Sequence, residues 1–285
     1  MASSPERGCG GRPVIPRAHI TGWRSQAPWP TDAQVEQDLV LTRALVEIFK
    51  QSAISEAVAF RGGSALHKLY FDRPGRYSED IDLVQIEAGP IGNVLDAIRE
   101  RLDPWLGEPR RRRGQGRVTI VYRFDTTFEP SQRMRLKIEI NSREHFSVLG
   151  LQKRALIVNS PWYSDSASIT VYGLEELLGT KLRALYQRKK GRDLYDLWRV
   201  LVTEELNDES VIECFQRYIV HGGLTVTRAQ FEENLANKMQ DNAFLEDIAP
   251  LLPTEITYQA KTAYELVSSR LIARLSGDPW KGAAP

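Results

Sequence analysis

Cysteine is almost missing from this chain: its 285 residues include only Cys9 and Cys214, far apart in sequence. Two such residues cannot build a disulfide framework, so stability must come from a packed core, and a reducing, cytoplasmic setting is expected. Long hydrophobic runs are missing as well. Nothing approaches the ~18 consecutive apolar residues that span a bilayer, so no membrane partner is expected. The opening stretch MASSPERGCGGRPVIPR is polar, rich in Gly, Pro and Arg, and lacks the apolar segment of a secretory signal, so it reads as a flexible tail. There is also no charge excess: 38 Lys and Arg stand against 37 Asp and Glu, a formal net charge of +1. Any nucleic-acid affinity must therefore come from a local patch. No internal repeat is visible.

What is present is an ordinary globular composition, 42% hydrophobic and 26% charged, in a chain longer than the usual domain of about 100–200 residues. Two lobes are expected. Thr31 with Gln34 forms a capping-box pattern that opens a helix reaching to about Gln51. Ala57–Phe60 reads as a buried strand that ends in Arg61-Gly62-Gly63-Ser64, with a helix over 65–70. A second strand runs through Asp80 to Ile86. Ile91, Val94, Leu95, Ile98 and Leu102 recur at helical spacing. Strands follow at 118–124 and 134–140, with further candidates at 155–158 and 169–172. From Leu174 the pattern turns helical, ending in a long helix expected over 254–275. The expected division is a flexible N-terminal tail at 1–30, a mixed α/β lobe at 31–172, an all-helical lobe at 173–276 that completes the active site, and a C-terminal tail at 277–285.

The stretch RYSEDIDL, residues 76–83, carries the first chemical signal. In a strand, residues two apart share a face, about 6.6 Å apart along the backbone. Asp80 and Asp82 are thus neighbours on one face, while Ile81 and Leu83 turn to the core. Two carboxylates so placed repel unless water or cations separate them, which suits divalent metal ions as in phosphoryl and nucleotidyl transfer. The same pattern also fits an exposed acidic strand face. Upstream, Gly62-Gly63-Ser64 sits between strand and helix, where free backbone N–H groups can hold a phosphate; Ser64 could add its hydroxyl or simply cap the helix. Ser78 falls on the face of Asp80. In RMRLKIEIN, residues 133–141, alternation places Lys137, Glu139 and Asn141 together, so Glu139 can supply a third carboxylate if its strand adjoins that of the aspartates. Lys181 lies among Leu177, Leu178, Leu182 and Leu185 and needs a partner: a phosphate, or solvent reached by snorkelling. Asp193 could cap the following helix or orient Lys181.

GGSALHKLY (62–70), RYSEDIDL (76–83) and KLRALYQRKKGRDLYDLW (181–198), in this order, resemble the AbiEii/AbiGii nucleotidyltransferase toxin family, which includes the MenT-like toxins and belongs to the DNA polymerase β-like superfamily. The resemblance implies an α+β fold, with a nucleotidyltransferase-like mixed sheet and flanking helices followed by an all-helical lobe. It implies a Mg²⁺-dependent nucleotidyltransferase using an NTP. Asp80, Asp82 and Glu139 would be its metal ligands, Gly62, Gly63, Ser64, Ser78, Lys181, Arg183 and Arg192 its nucleotide contacts, and Lys181 and Asp193 further catalytic residues. The implied acceptor is the 3′ end of tRNA, with translation blocked as aminoacylation stops, and the implied partner is a cognate antitoxin. Arg110, Arg111, Arg112 and Arg113, with Arg117 nearby, form a basic cluster that could neutralise RNA phosphates or be a solvated loop. A protein hydroxyl or a small molecule is an alternative acceptor. Two other readings also remain open: a non-catalytic RNA-binding module, and a DxD glycosyltransferase, which would leave the glycine turn and Lys181 unexplained.

Overall fold

A computed structural model describes residues 15–282. The chain forms α1 (Arg17–Trp23), α2 (Asp32–Phe49), α3 (Ser52–Ser55), β1 (Val58–Arg61), α4 (Gly62–Leu69), β2 (Asp80–Gln85) and α5 (Gly92–Leu106). A run of strands follows: β3 (Arg110–Gly114), β4 (Arg117–Asp125), β5 (Arg133–Asn141), β6 (Leu151–Ser160) and β7 (Tyr163–Tyr172). The remainder is helical, with α6 (Leu174–Gln187), α7 (Gly191–Thr203), α8 (Asp208–His221), α9 (Arg228–Met239), α10 (Asn242–Glu246) and α11 (Ala260–Arg270). The expected α+β architecture is therefore present.

The strands make one mixed sheet in the order β3-β4-β5-β2-β1-β7-β6. At its centre β2 runs antiparallel to β1 and parallel to β5. Alternation dictates the sheet's two faces. Ile81, Leu83, Ile120, Tyr122, Leu136, Ile138 and Ile140 are buried together with α2 and α5 in one hydrophobic cluster, whereas the intervening residues of β4 and β5 are exposed or half-buried. A second cluster joins α6 to α11 and includes Leu66 of α4, so α4 contributes to both cores. No described helix is long and apolar enough to cross a membrane.

Residues 1–14 lie outside the described part, and the remainder of the expected N-terminal tail is corrected by the structure. Ile15, Ile20, Trp23 and Trp29 are buried, and the indoles of Trp23 and Trp29 both donate to Asp38 of α2, at 2.8 and 3.0 Å. Few apolar residues mark this segment, but a buried carboxylate holds the two largest. Arg110–Gly114 is a paired edge strand, not a loop, and every residue of it is exposed. The expected 254–275 helix begins only at Ala260, because Pro253 is followed by a turn in which the Ile256 amide donates to the Pro253 carbonyl. Gln34 does close the capping box with Thr31.

Packing of α6 on α8 fixes the position of Lys181. A Cβ at Gly179 would lie 2.5 Å from Cys214 Cβ and 2.9 Å from the Phe215 amide nitrogen, so the helices touch through a glycine. Gly179→Ala should destabilise the protein by about 1–3 kcal/mol in urea melts, the usual cost of overpacking a core.

Candidate active site

β1, β2 and α4 bring the first residues together. Gly62 has φ +80°, and a Cβ there would sit 2.5 Å from Asp82 Oδ2. A Cβ on Gly63 would sit 2.2 Å from Arg76 Nη2. The turn is therefore diglycine for two reasons: Gly62 adopts a left-handed backbone, and the side chains of Asp82 and Arg76 press against the two residues. Ser64, already inside α4, is buried and caps nothing; its hydroxyl donates to the Asp80 carbonyl and accepts from Ser78 Oγ at 2.7 Å. Ser64 and Ser78 thus tie the glycine turn to the aspartate strand.

Strand register places the carboxylates. Asp82 pairs with Glu139 and Asp80 with Lys137, so all four side chains share one face. Lys137 Nζ lies 2.8 Å from Asp80 Oδ2 and 3.7 Å from Glu139, and Glu139 also meets Arg117 at 3.2 Å. Burial pushes both aspartates above the ordinary carboxylate range; at Asp82 the neighbouring Asp80 adds to this, while at Asp80 the hydrogen bond from Lys137 works against it. Asp80 Oδ1 is buried with no hydrogen-bond partner. An orphaned hard oxygen beside a second carboxylate suits a magnesium ion. Among the described residues, however, no three acidic, imidazole or thiol side chains converge closely enough to hold one as they stand. Asp82 and the free Oδ1 of Asp80 could hold the ion, Asp80 Oδ2 being engaged by Lys137, whereas Glu139 would first have to release Arg117 and Lys137.

The opposite wall comes from α6 and α7. Lys181 is buried and paired with Asp193 at 3.1 Å and Asp196 at 2.8 Å. Asp193 also accepts two bonds from Arg188, at 2.6 and 2.7 Å. Asp196 accepts a two-pronged contact from Arg76, at 2.7 and 2.8 Å, and a bond from His67 Nε2 at 2.9 Å. The His67 tautomer is fixed: Nδ1 accepts from the Gly75 amide, so Nε2 carries the proton. Burial works against both carboxylates. At Asp196 it is outweighed by Arg76 and Lys181 and at Asp193 by Lys181 and Arg188, so both stay below the ordinary range. His67 is pushed down to about 4 by burial, against the pull of Asp196. Three cations thus face two carboxylates with a neutral histidine, and the half-exposed Arg188 carries the surplus positive charge to the cleft.

A second arrangement repeats that excess. Glu144 bridges Arg61 and Arg183, the latter at 2.6 Å; burial would raise it, but the two arginines bring it down to about 2. Arg192 lies 3.6 Å from Asp247. Gly62, Gly63, Ser78, Asp80, Asp82, Glu139, Lys181, Arg183 and Arg192 all line one cleft of about 470 Å³. Buried Ser64 and Asp193 stand behind its wall. Arg110 to Arg113 do not line it and sit on the edge strand. Sequence reasoning missed Arg76, Asp196, Arg188, Glu144 and Lys137 as site residues. One signal was available: Asp193 and Asp196, three apart, had to share a helix face. A larger cleft of about 590 Å³, lined by Trp23, His67 and Phe71 among others, holds neither the aspartate pair nor the glycine turn.

The model of one family, described as the AbiEii nucleotidyl transferase toxin of type IV toxin–antitoxin systems, matches residues 43–266. The chain belongs to the AbiEii nucleotidyltransferase toxins. The AbiEii match spans the glycine turn, the aspartate strand and the Lys181 wall. No curated protein matches the sequence. Among solved structures, the AbiEii fold here is similar to the nucleotidyltransferase toxin MenT4 of Mycobacterium tuberculosis, at 18% identity and a TM-score of 0.68 over 92% of this chain and 91% of that one. It is also similar to JHP933 of Helicobacter pylori, at 18% identity and a TM-score of 0.55 over 85% and 92%.

Two outcomes follow from this geometry. Gly62→Ala should cost about 1–2 kcal/mol of stability from the left-handed backbone and lower activity further by displacing Asp82. His67 takes up its second proton in the fold only near pH 4, whereas in the unfolded chain it does so near 6.5. Unfolded protein therefore takes up the proton first, and stability should fall as pH drops from about 6.5 to 4. Thermal melts of wild type and His67→Gln should show that the slope across this window shrinks in the variant. Asp193 and Asp196, with lowered values, lose their contribution only below the ordinary carboxylate range.

Proposed function

We propose that the protein is a cytoplasmic, Mg²⁺-dependent toxin that transfers a nucleoside monophosphate from an NTP to the 3′ end of tRNA, stopping aminoacylation and translation, with a cognate antitoxin as its partner. The observation that carries this reading is the pairing, across one cleft, of an aspartate pair with an orphaned oxygen and a wall of cations in surplus. The cleft's size lies in the range that binds small ligands.

In this reading the triphosphate lies between the Gly62-Gly63 turn and Lys181, with Arg188 and Arg183 neutralising its outer oxygens. Asp193 and Asp196 hold the Lys181 ammonium in position, and Arg76 keeps Asp196 ionised and aimed. Ser64 and Ser78 hold the turn against the aspartate strand. Asp80 and Asp82, joined by Glu139, would hold magnesium, whose charge would favour the attacking oxygen and offset the charge developing on the phosphates. The acceptor hydroxyl oxygen forms a bond to the α-phosphorus, the bond from the α-phosphorus to the bridging oxygen breaks, and pyrophosphate leaves as the hydroxyl proton is released. No covalent enzyme intermediate is needed; positioning and preorganised charge supply the acceleration.

The test combines purified protein, Mg²⁺, each α-³²P-labelled NTP and total tRNA. Label should appear on tRNA with pyrophosphate release. Asp80→Ala should abolish it, and Lys181→Ala should lower it by about 10²–10³, as for loss of a preorganised donor to the reacting phosphate. Label on another molecule and not on RNA would refute the tRNA assignment, and no transfer to anything would refute the enzymatic reading.

A further inference from the structure

The sheet continues beyond the cleft as an open face with a marked charge. Directly paired residues on adjacent strands lie on the same face, so the register can be followed outward from the aspartates. Asp82 pairs with Glu139, Glu139 with Thr119, and Thr119 with Arg112. Asp80 pairs with Lys137, Lys137 with Val121, and Val121 with Arg110. Arg110 and Arg112 therefore share the face of the carboxylates, three strands away, or roughly 14–15 Å at ordinary strand spacing. Arg123 and Arg135 pair with each other on the same face. Arg111 and Arg113, between them in sequence, point to the opposite side, the side that α2 and α5 cover farther in. The basic run is thus split by strand parity into two residues facing the reaction and two facing away.

Other features of that face agree with a binding surface. Arg110, Arg112 and Arg135 are exposed. None of Arg110 to Arg113 has an ion-pair partner among the described residues, whereas Arg117, Arg133 and Arg135 are paired to Glu139, Asp125 and Glu79. A whole-chain charge of only +1 makes so local a concentration of positive charge informative. Arginine on an edge strand also discourages edge-to-edge pairing, but that role would use both parities equally.

We infer that the open face of β3, β4 and β5 is the track for the phosphodiester backbone of the RNA acceptor, with Arg110 and Arg112 as its outer contacts and Arg135 and Arg123 leading to the carboxylates. The inference rests on the acceptor reading above and names the surface that presents the acceptor. The RNA lies across the strands, with its reacting end over Asp80 and Asp82 and its preceding phosphates over the arginines. Backbone contacts of this kind position the substrate without reading its sequence.

The experiment compares Arg110→Ala/Arg112→Ala with Arg111→Ala/Arg113→Ala in the full chain. Both pairs are exposed, and circular dichroism and melting temperature verify that each variant folds. With total tRNA as acceptor, the 110/112 pair should raise KM on the order of tenfold while kcat at saturating tRNA stays near wild type. The slope of log affinity against log salt, from filter binding of total tRNA, should drop by about 2, one for each lost phosphate contact. The 111/113 pair should match wild type in both measurements. Equal effects of the two pairs, or none from either, would overturn the track while leaving the function standing. A wild-type protein that neither binds nor labels tRNA would overturn the acceptor reading and the track together.

Discussion

The buried pairing of Lys181 with Asp193 and Asp196 is the constraint on which the rest of this site depends. An ammonium with almost no access to water is tolerable only beside carboxylates, and those carboxylates are tolerable only beside further cations. Arg76 and Arg188 fill that need. Through them the network joins α6, α7, α4 and the loop that leads into β2, so the helical and sheet parts of the molecule meet at charges and not only at apolar surface. Gly63 lies against Arg76, and Gly62 lies against Asp82. The glycine turn, the aspartate strand and the lysine wall are therefore mutually positioned: a change in one presses on the next.

This arrangement also divides the electrostatic work. On the sheet side, the aspartates repel each other, sit above their ordinary titration range and lean on Lys137. Across the cleft, two clusters each carry more cations than carboxylates, one on α6 and α7 and one joining β1 to α6 through Glu144. A ligand with anionic phosphates, held beside a divalent cation, answers both imbalances at once. Neither half alone would distinguish a nucleotide from any other polyanion, and the face of β3 to β5 extends the positive side in the direction from which a long acceptor could enter.

Much of this was legible in the sequence where periodicity or capping chemistry is local. Alternation placed Asp80 and Asp82 on one face and Glu139 with Lys137 on one face, and Thr31 with Gln34 marked the start of α2. What the sequence could not show was long-range pairing. Arg76 meets Asp196 across 120 residues, and the register that sets Asp82 opposite Glu139 joins two strands with a helix and two other strands between them. The arginine run has no apolar alternation because its strand lies at the sheet edge with both faces exposed, so it read as a loop. Trp23 and Trp29 were hidden among prolines, glycines and arginines, and they are placed by distant partners, the core around them and Asp38 of α2.

In the proposed function the triphosphate of an NTP lies between the Gly62-Gly63 turn and Lys181. A crystal structure with Mg²⁺ and an NTP analogue whose α–β bridge cannot be cleaved tests this directly. Phosphate oxygens should lie within hydrogen-bond reach of Lys181 Nζ and the Gly63 amide, with the α-phosphate facing Asp80 and Asp82. A nucleotide found instead in the larger cleft beside Trp23, His67 and Phe71, with the aspartate cleft free of phosphate, would contradict it.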